Sequence, residues 1–285
     1  MEILLTGGSG FIGARLVPVL IAQGHRVVAA GRTPAPPAGH VDADLASPGF
    51  STGWPARIDA VVCLAQSRRF RDLPAGQSDL ETVNRTAVAE CLAYALRAGA
   101  SRFLLASTGG VYAPSATLLR EGDTLAPVGP YQRIKLEAET LAQGCADRLA
   151  VAILRPFFVY GPGQRGMMIA NLAGRVLAGE EVTIEGDPGM RVTPTHVEDA
   201  VAAIAGAVSG SLRGAFNLAG PEAVHISTLV RLIGEAAGCE VRLRHIPGDS
   251  ERGYAGDGSK LRAELRLGPC LPLREGLAAV VRAMR

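Results

Sequence analysis

The chain opens on a short apolar run, Glu2-Ile3-Leu4-Leu5-Thr6, which predicts a strand buried on both faces. Glycines at 7, 8, 10 and 13 interrupt it. Residues Ala14 to Ala22 then repeat their apolar positions at helical spacing and stop before Gly24. The same alternation continues downstream. Arg26–Ala30 and Ile58–Leu64 predict the second and third strands, and a helix is expected over about 79–98. Arg102–Ala106 predicts a fourth strand, a helix carries Tyr131 and Lys135, and Ala150–Leu154 predicts a fifth strand. Repeated β–α–β order implies an α/β fold, a doubly wound parallel sheet whose strand carboxyl ends share one ligand crevice. Polar, loop-forming residues stand at those ends: Gln66-Ser67, Ser107-Thr108 and Arg155-Pro156. The sheet-forming domain is expected over 1–155 with a returning segment near 191–219, and a smaller C-terminal α/β lobe over 156–285. Between about 34 and 55 proline, glycine and serine dominate, which predicts a surface excursion. No internal repeat or low-complexity linker is present.

Composition narrows the function classes. With 285 residues, 48% of them hydrophobic, the chain can bury a large core. A net charge of +2 and an aromatic content of 5% give no basis for nucleic-acid or anionic-membrane binding. No apolar run reaches the roughly 20 residues that span a bilayer. The first strand begins directly after Met1, so no signal peptide and a cytoplasmic location are expected. Five scattered cysteines without a C-x-x-C pair predict reduced, mostly buried thiols. Five histidines without paired spacing predict no metal site.

Two patterns carry chemistry. Gly7, Gly10 and Gly13 form G-x-x-G-x-x-G between the first strand and the first helix. Glycine there lets a tight turn bring backbone amides against a pyrophosphate at the helix N-terminus, which predicts a dinucleotide cradle of Gly7, Gly10, Phe11, Ile12 and Gly13. Tyr131 and Lys135 are the second pattern. Only two of the 29 basic residues are lysine, so lysine at 135 reads as a chemical choice. Four residues apart on a helix, the pair shares one face. A compact ammonium beside a phenol favours its ionised form, which suits an acid/base pair.

These motifs, in this order, resemble the extended short-chain dehydrogenase/reductase superfamily, and within it the NAD-dependent epimerase/dehydratase family that modifies nucleotide sugars. The likeness runs from Thr6–Gly13 through Cys63-Leu64-Ala65, Asn84-Arg85-Thr86 and Ser107–Tyr112 to Tyr131-x-x-x-Lys135. It continues through Leu154-Arg155-Pro156, Tyr160–Gly163, His196–Ala200 and Phe216–Gly220. The resemblance implies a Rossmann domain, a C-terminal substrate lobe and a homodimer through a helical face. It also implies roles. Tyr131 would be the general acid/base, Lys135 its electrostatic partner and a ligand of the nicotinamide ribose, and Thr108 a hydrogen-bond partner of the reacting oxygen. Leu64, Ala65 and Pro156 would border the cofactor, Asp44-Leu45 would meet the adenine edge, and Arg191 would hold the substrate diphosphate.

Departures from the family pattern refine this reading. An acidic residue ending the second strand would hold the adenosine ribose and select NAD. This chain has Gly31-Arg32, and a guanidinium there suits a 2′-phosphate, so NADP is expected, with NAD as the alternative. Dehydratases of the family carry an Asp-Glu pair after the threonine, where this chain has Gly109-Gly110. Cys63 replaces a usual histidine, and Phe157-Phe158 replaces an asparagine that touches the sugar nucleotide. Arg244 and Arg252 lie near a position where a second basic residue is usual. The leading expectation is NADPH-dependent reduction of a keto group on a nucleotide diphosphate sugar. The alternative is an NAD-dependent epimerase that transiently oxidises one sugar carbon. A non-catalytic dinucleotide sensor is the most remote reading, because Thr108, Tyr131 and Lys135 are all present.

Overall fold

A computed structural model of the chain describes residues 1–250 and 252–285. It divides into two compact units. The first comprises 1–111, 126–155 and 201–216, and the second 112–125, 156–200 and 217–285.

In the first unit β1 (Glu2–Thr6) leads into α1 (Gly13–Ala22), β2 (Arg26–Ala30), β3 (Gly39–Val41) and β4 (Ala60–Cys63). Then come α2 (Gln77–Glu81), α3 (Ala87–Arg97), β5 (Arg102–Ala106), α4 (Pro130–Gln143) and β6 (Ala150–Pro156). The strands lie in the order β3-β2-β1-β4-β5-β6, and every pairing between them is parallel. This is the doubly wound order, and its direction reverses between β1 and β4. Ile3, Leu4 and Leu5 are wholly buried, as both faces of such a sheet must be. Behind β4 and β5, Cys91, Leu92 and Tyr94 of α3 and Ala138 of α4 close the core with Phe103 and Leu105.

Two elements differ from the sequence expectation. The helix expected over 79–98 runs without a break from Gln77 to Arg97, but it widens into a π-turn over Thr82–Thr86. The stretch expected as a surface excursion supplies β3, which pairs with β2, and it buries Ala43 and Trp54. The Trp54 ring stands edge-on to Tyr94 at 4.9 Å. The open edge of β2 needs hydrogen-bond partners, and a three-residue strand too short to show a pattern provides them.

The second unit begins with β7 (Val159–Tyr160), α5 (Met168–Leu177), β8 (Val182–Glu185), β9 (Arg191–Val192) and β10 (Thr195–His196). Helix α6 (Val197–Ser209) and strand β11 (Gly214–Leu218) then carry the chain back to the first unit, where β11 lies beside β6 at the far edge of the large sheet. The second unit resumes with β12 (Val224–His225), α7 (Ile226–Ala237), β13 (Leu243–Ile246), α8 (Ser259–Leu265) and α9 (Leu273–Met284). Three two-stranded pairs, β7 with β10, β9 with β12 and β8 with β13, are held by a helical core. Leu229, Val230 and Ile233 of α7 meet Leu277 and Val281 of α9 in that core. Among the described residues no helix is long and apolar enough to cross a membrane, and no cluster of three metal-ligating side chains occurs. All five cysteines are unbridged.

Candidate active site

The glycine loop lies at the switch point of the sheet. Gly7 has φ +78°, a left-handed conformation that favours glycine. A Cβ on Gly7 would sit 2.7 Å from the Ala65 nitrogen, and one on Gly13 would sit 2.2 Å from the Gly7 oxygen. Side chains are therefore excluded from both positions, and the Gly10 amide closes the turn on the Gly7 carbonyl at 3.0 Å. The amides of Phe11, Ile12 and Gly13 head α1, where the first turn leaves donors open to an anion. The Arg15 guanidinium lies 4.4 Å from the Phe11 ring and donates to the Phe11 carbonyl at 2.8 Å. Leu64 and Ala65 leave β4 directly against Gly7. This surface fits a dinucleotide backbone, since the tight glycine turn leaves the amides at the head of α1 open to a pyrophosphate.

At the end of β2, Gly31 donates to Val41 at 3.2 Å and accepts from the Ala43 amide at 3.3 Å. Two exposed carboxylates, Asp42 and Asp44, thus flank a residue bonded to Gly31, while Arg32 is exposed beside it. The Asp44 side chain is turned into its own loop, accepting from the Ala46 amide at 3.2 Å and the Ser47 hydroxyl at 3.4 Å. Leu45 packs against the core of the first unit.

Tyr131 stands in the first turn of α4, which starts at Pro130 after the extended Gly129. Its hydroxyl donates to Gln66 Oε1 at 3.0 Å and receives a hydrogen bond from Thr108. Burial pushes the phenol well up, and the Thr108 hydroxyl draws it partly back. Thr108 Oγ1 is itself fixed by the Gly110 amide at 3.1 Å. One turn further along α4, Lys135 is 3% exposed, and its Nζ donates to the Ala106 carbonyl at 2.5 Å. Burial lowers the ammonium to about 8, opposed by Cys63 and Glu139 nearby. The structure thus brings Thr108, Tyr131 and Lys135 together at the carboxyl end of β5.

Several neighbours of this group were given no role by the sequence. Glu139, a further turn along the same face of α4, accepts from Arg155 Nη2 at 2.7 Å and Nε at 3.1 Å, and from the Ser107 hydroxyl. All three are buried. Phe70 lays its ring 5.4 Å from that of Tyr131. The i+4 spacing of Tyr131, Lys135 and Glu139 is the one sequence signal for this network.

Within the second unit, Pro156 ends β6 and Phe157 stacks on Tyr112 at 6.2 Å. Tyr112 donates to the buried Asn217 at 2.8 Å, and Tyr160 packs edge-on to His196, so both tyrosines are packing residues. Phe158 adopts φ +41°, which bulky residues rarely do and asparagine tolerates. Arg191 in β9 is half-buried, and its carbonyl accepts from the Tyr254 amide at 2.9 Å. Gly253 lies so close to the Arg191 backbone that a Cβ would sit 2.2 Å from its oxygen, while the preceding Arg252 pairs with Asp249 at 4.0 Å. Arg244, in contrast, is committed to Glu181 at 3.0 Å.

Known proteins are similar to this chain over most of its length. The model of the NAD dependent epimerase/dehydratase family matches residues 3–219. A dTDP-4-dehydro-6-deoxy-D-allose reductase of Streptomyces bikiniensis is 27% identical, over 99% of this chain and 96% of its own length. UDP-glucuronic acid decarboxylase 1 of Xenopus tropicalis is 25% identical, over 100% of this chain and 72% of its own. Among solved structures, MoeE5 in complex with UDP-glucuronic acid and NAD is similar with a TM-score of 0.85 and 31% identity. The likeness covers 100% of this chain and 99% of that one. The UDP-glucose 4-epimerase of Thermus thermophilus, in complex with NAD, has a TM-score of 0.83 and 26% identity, covering 99% of this chain and 98% of that one.

Proposed function

The chain belongs to the NAD dependent epimerase/dehydratase family, and from that premise we propose that it is an NAD-dependent epimerase of a UDP-linked sugar. The observation that carries this reading is the acid/base set itself. Thr108 and Tyr131 offer one exchangeable proton, and Gly109-Gly110 follow the threonine, so no second acid stands where a dehydratase needs one. One proton and one hydride, out and back, invert a carbinol carbon.

Gly7, Gly10 and Gly13 with the amides heading α1 would hold the pyrophosphate of NAD, whose nicotinamide would supply a hydride acceptor that becomes the donor once reduced. Tyr131 takes the sugar hydroxyl proton as its C–H bond breaks, holds it while the keto sugar presents its other face, and returns it. Thr108 keeps the same oxygen in place. The Lys135 ammonium one turn away favours the phenolate that must form. Arg191 is proposed to hold the substrate diphosphate.

NAD is favoured by the carboxylates of Asp42 and Asp44 around Gly31, which would repel a 2′-phosphate. The UDP sugar and NAD bound by the 31% identical MoeE5 support both halves of the reading. A second reading, NADPH-dependent ketoreduction, draws on the exposed Arg32 and on the 27% identical reductase.

The test is incubation of the purified protein and NAD with UDP-glucose and UDP-glucuronic acid, with chromatography of the products. We expect a C4 epimer and no net change in nicotinamide absorbance. Tyr131→Phe should slow that conversion by about 10²–10⁴-fold while binding NAD as before. Stoichiometric NADPH consumption with a 4-keto sugar, and no epimer, would establish the reductase instead.

A further inference from the structure

The reaction gives no task to Gln132, which follows Tyr131 on α4. Its side chain lies between two glycines. A Cβ on Gly110 would sit 2.8 Å from Gln132 Cγ, and one on Gly129 would collide with Gln132 Oε1. Neither glycine has a positive φ, and Gly129 is extended at φ −105°, so the backbone itself does not call for glycine at either position. Both leave room for the glutamine. A glutamine in the first turn of a helix ordinarily faces water or reaches back to the amide of the capping residue. Three observations set this one apart.

The first is that its amide is unpaired. Among the described residues no group hydrogen-bonds Gln132 Oε1 or Nε2, the Gly129 amide included. The second is its position. The point where a Cβ on Gly110 would stand is 3.5 Å from Thr108 Oγ1 and 3.6 Å from Gln132 Nε2. Both polar groups therefore border one small space beside Gly110, and Thr108 in turn bonds the Tyr131 hydroxyl. The third is access. Thr108, Gly110 and Gln132 are each half-buried, so a ligand can reach them, whereas Ser107, Lys135 and Glu139 of the neighbouring network are buried.

A sugar hydroxyl both donates and accepts, and a carboxamide answers it with one group of each kind. An amide also does not titrate, so unlike a carboxylate it places no second exchangeable proton beside Tyr131. We propose that Gln132 is a substrate-binding residue whose carboxamide holds the hydroxyl on the carbon next to the reacting one, and that the missing side chain at Gly110 keeps this amide in place. For a 4-epimerase that hydroxyl is the one on C3. The assignment rests on the reading above, a nucleotide-linked sugar reacting at Tyr131. It makes the vicinal diol of the sugar, rather than the reacting carbon alone, the feature that the site selects.

UDP-glucose, UDP-3-deoxyglucose and UDP-6-deoxyglucose are titrated calorimetrically into the full chain with NAD. The wild type is compared with Gln132→Met, Gln132→Ala, Gly110→Ala and the Gln132→Ala/Gly110→Ala double variant, and epimerisation of UDP-glucose is measured in parallel. Methionine fills the same space without an amide. Gln132→Met should weaken UDP-glucose and UDP-6-deoxyglucose by about 3–10-fold, the scale of a lost neutral hydrogen bond, and leave UDP-3-deoxyglucose within about 2-fold and NAD unchanged. Gly110→Ala should weaken UDP-glucose to the same degree, and adding it to Gln132→Ala should cost nothing more. An equal loss for all three sugars, a loss that follows the 6-hydroxyl, unchanged affinities, a parallel loss of NAD affinity or additive losses in the double variant overturn the proposal. A wild type that binds none of the three sugars overturns it equally. If the wild type binds UDP-glucose with the expected pattern but does not convert it, the epimerase reading fails and the Gln132 contact stands.

Discussion

Lys135 has two tasks that pull in opposite directions. Its value near Tyr131 lies in a positive charge, yet its burial works against keeping that charge and lowers it to about 8. The Ala106 carbonyl at 2.5 Å and the nearby Glu139 hold the proton in place at neutral pH. In the unfolded chain the same group keeps its proton up to about 10.5. Between those limits the unfolded state binds more protons than the folded one, so this site's contribution to stability rises with pH. Below pH 8 the buried cation costs stability in full. Denaturant midpoints at about pH 7 and about pH 9.5, compared for the wild type and Lys135→Met, isolate the effect. The wild type should gain on the variant as pH rises, and parallel changes would show that Lys135 does not titrate as its burial requires.

Helix α4 shows how one element carries both chemistry and stability. Its face presents Tyr131 and Lys135 to the site and then Glu139 to the interior, where Arg155 of β6 answers it. Removing one partner of a fully buried pair strands a charge, so Arg155→Met should cost about 3–5 kcal/mol. Replacing both, Arg155→Met with Glu139→Leu, should recover most of that loss, as a double-mutant cycle by urea denaturation would show. Additive losses would mean that the two act separately. The same element explains what could be read from the sequence. The strands were legible because a doubly wound sheet buries both faces and leaves unbroken apolar runs such as Ile3-Leu4-Leu5. The cradle and the Tyr131–Lys135 pair were legible because glycine spacing and i+4 spacing are local. Strand β3 was hidden because its pairing is dictated by the open edge of β2, and the π-turn at 82–86 because a widened turn leaves no compositional mark. Gln66 and Arg155 were legible as polar residues at strand ends facing the crevice, but their partners Tyr131 and Glu139, and the approach of Phe70, arise from tertiary contacts that no spacing announces.

For the molecule as a whole, the cofactor is the largest ligand the first unit is shaped to take, so its identity should register in global stability. The chain's net charge of +2 says nothing about that choice, because the deciding field is local to the end of β2. There Arg32 would attract a 2′-phosphate, and on the NAD reading Asp42 and Asp44, which flank the Ala43 bonded to Gly31, would oppose it. A ligand that binds only the folded state at 100 times its Kd stabilises by about 2.7 kcal/mol. For a chain of this size that is a rise of about 4–5 °C in Tm. NAD should therefore raise the midpoint further than NADP at equal concentration. Arg32→Ala should shrink the NADP response and leave that of NAD in place, since only the former carries a group for the guanidinium to bind. Asp42→Asn with Asp44→Asn should move the balance the other way, by removing the repulsion. A wild-type response larger for NADP, and abolished by Arg32→Ala, would show that the guanidinium outweighs the two carboxylates and would shift the chemistry toward net reduction.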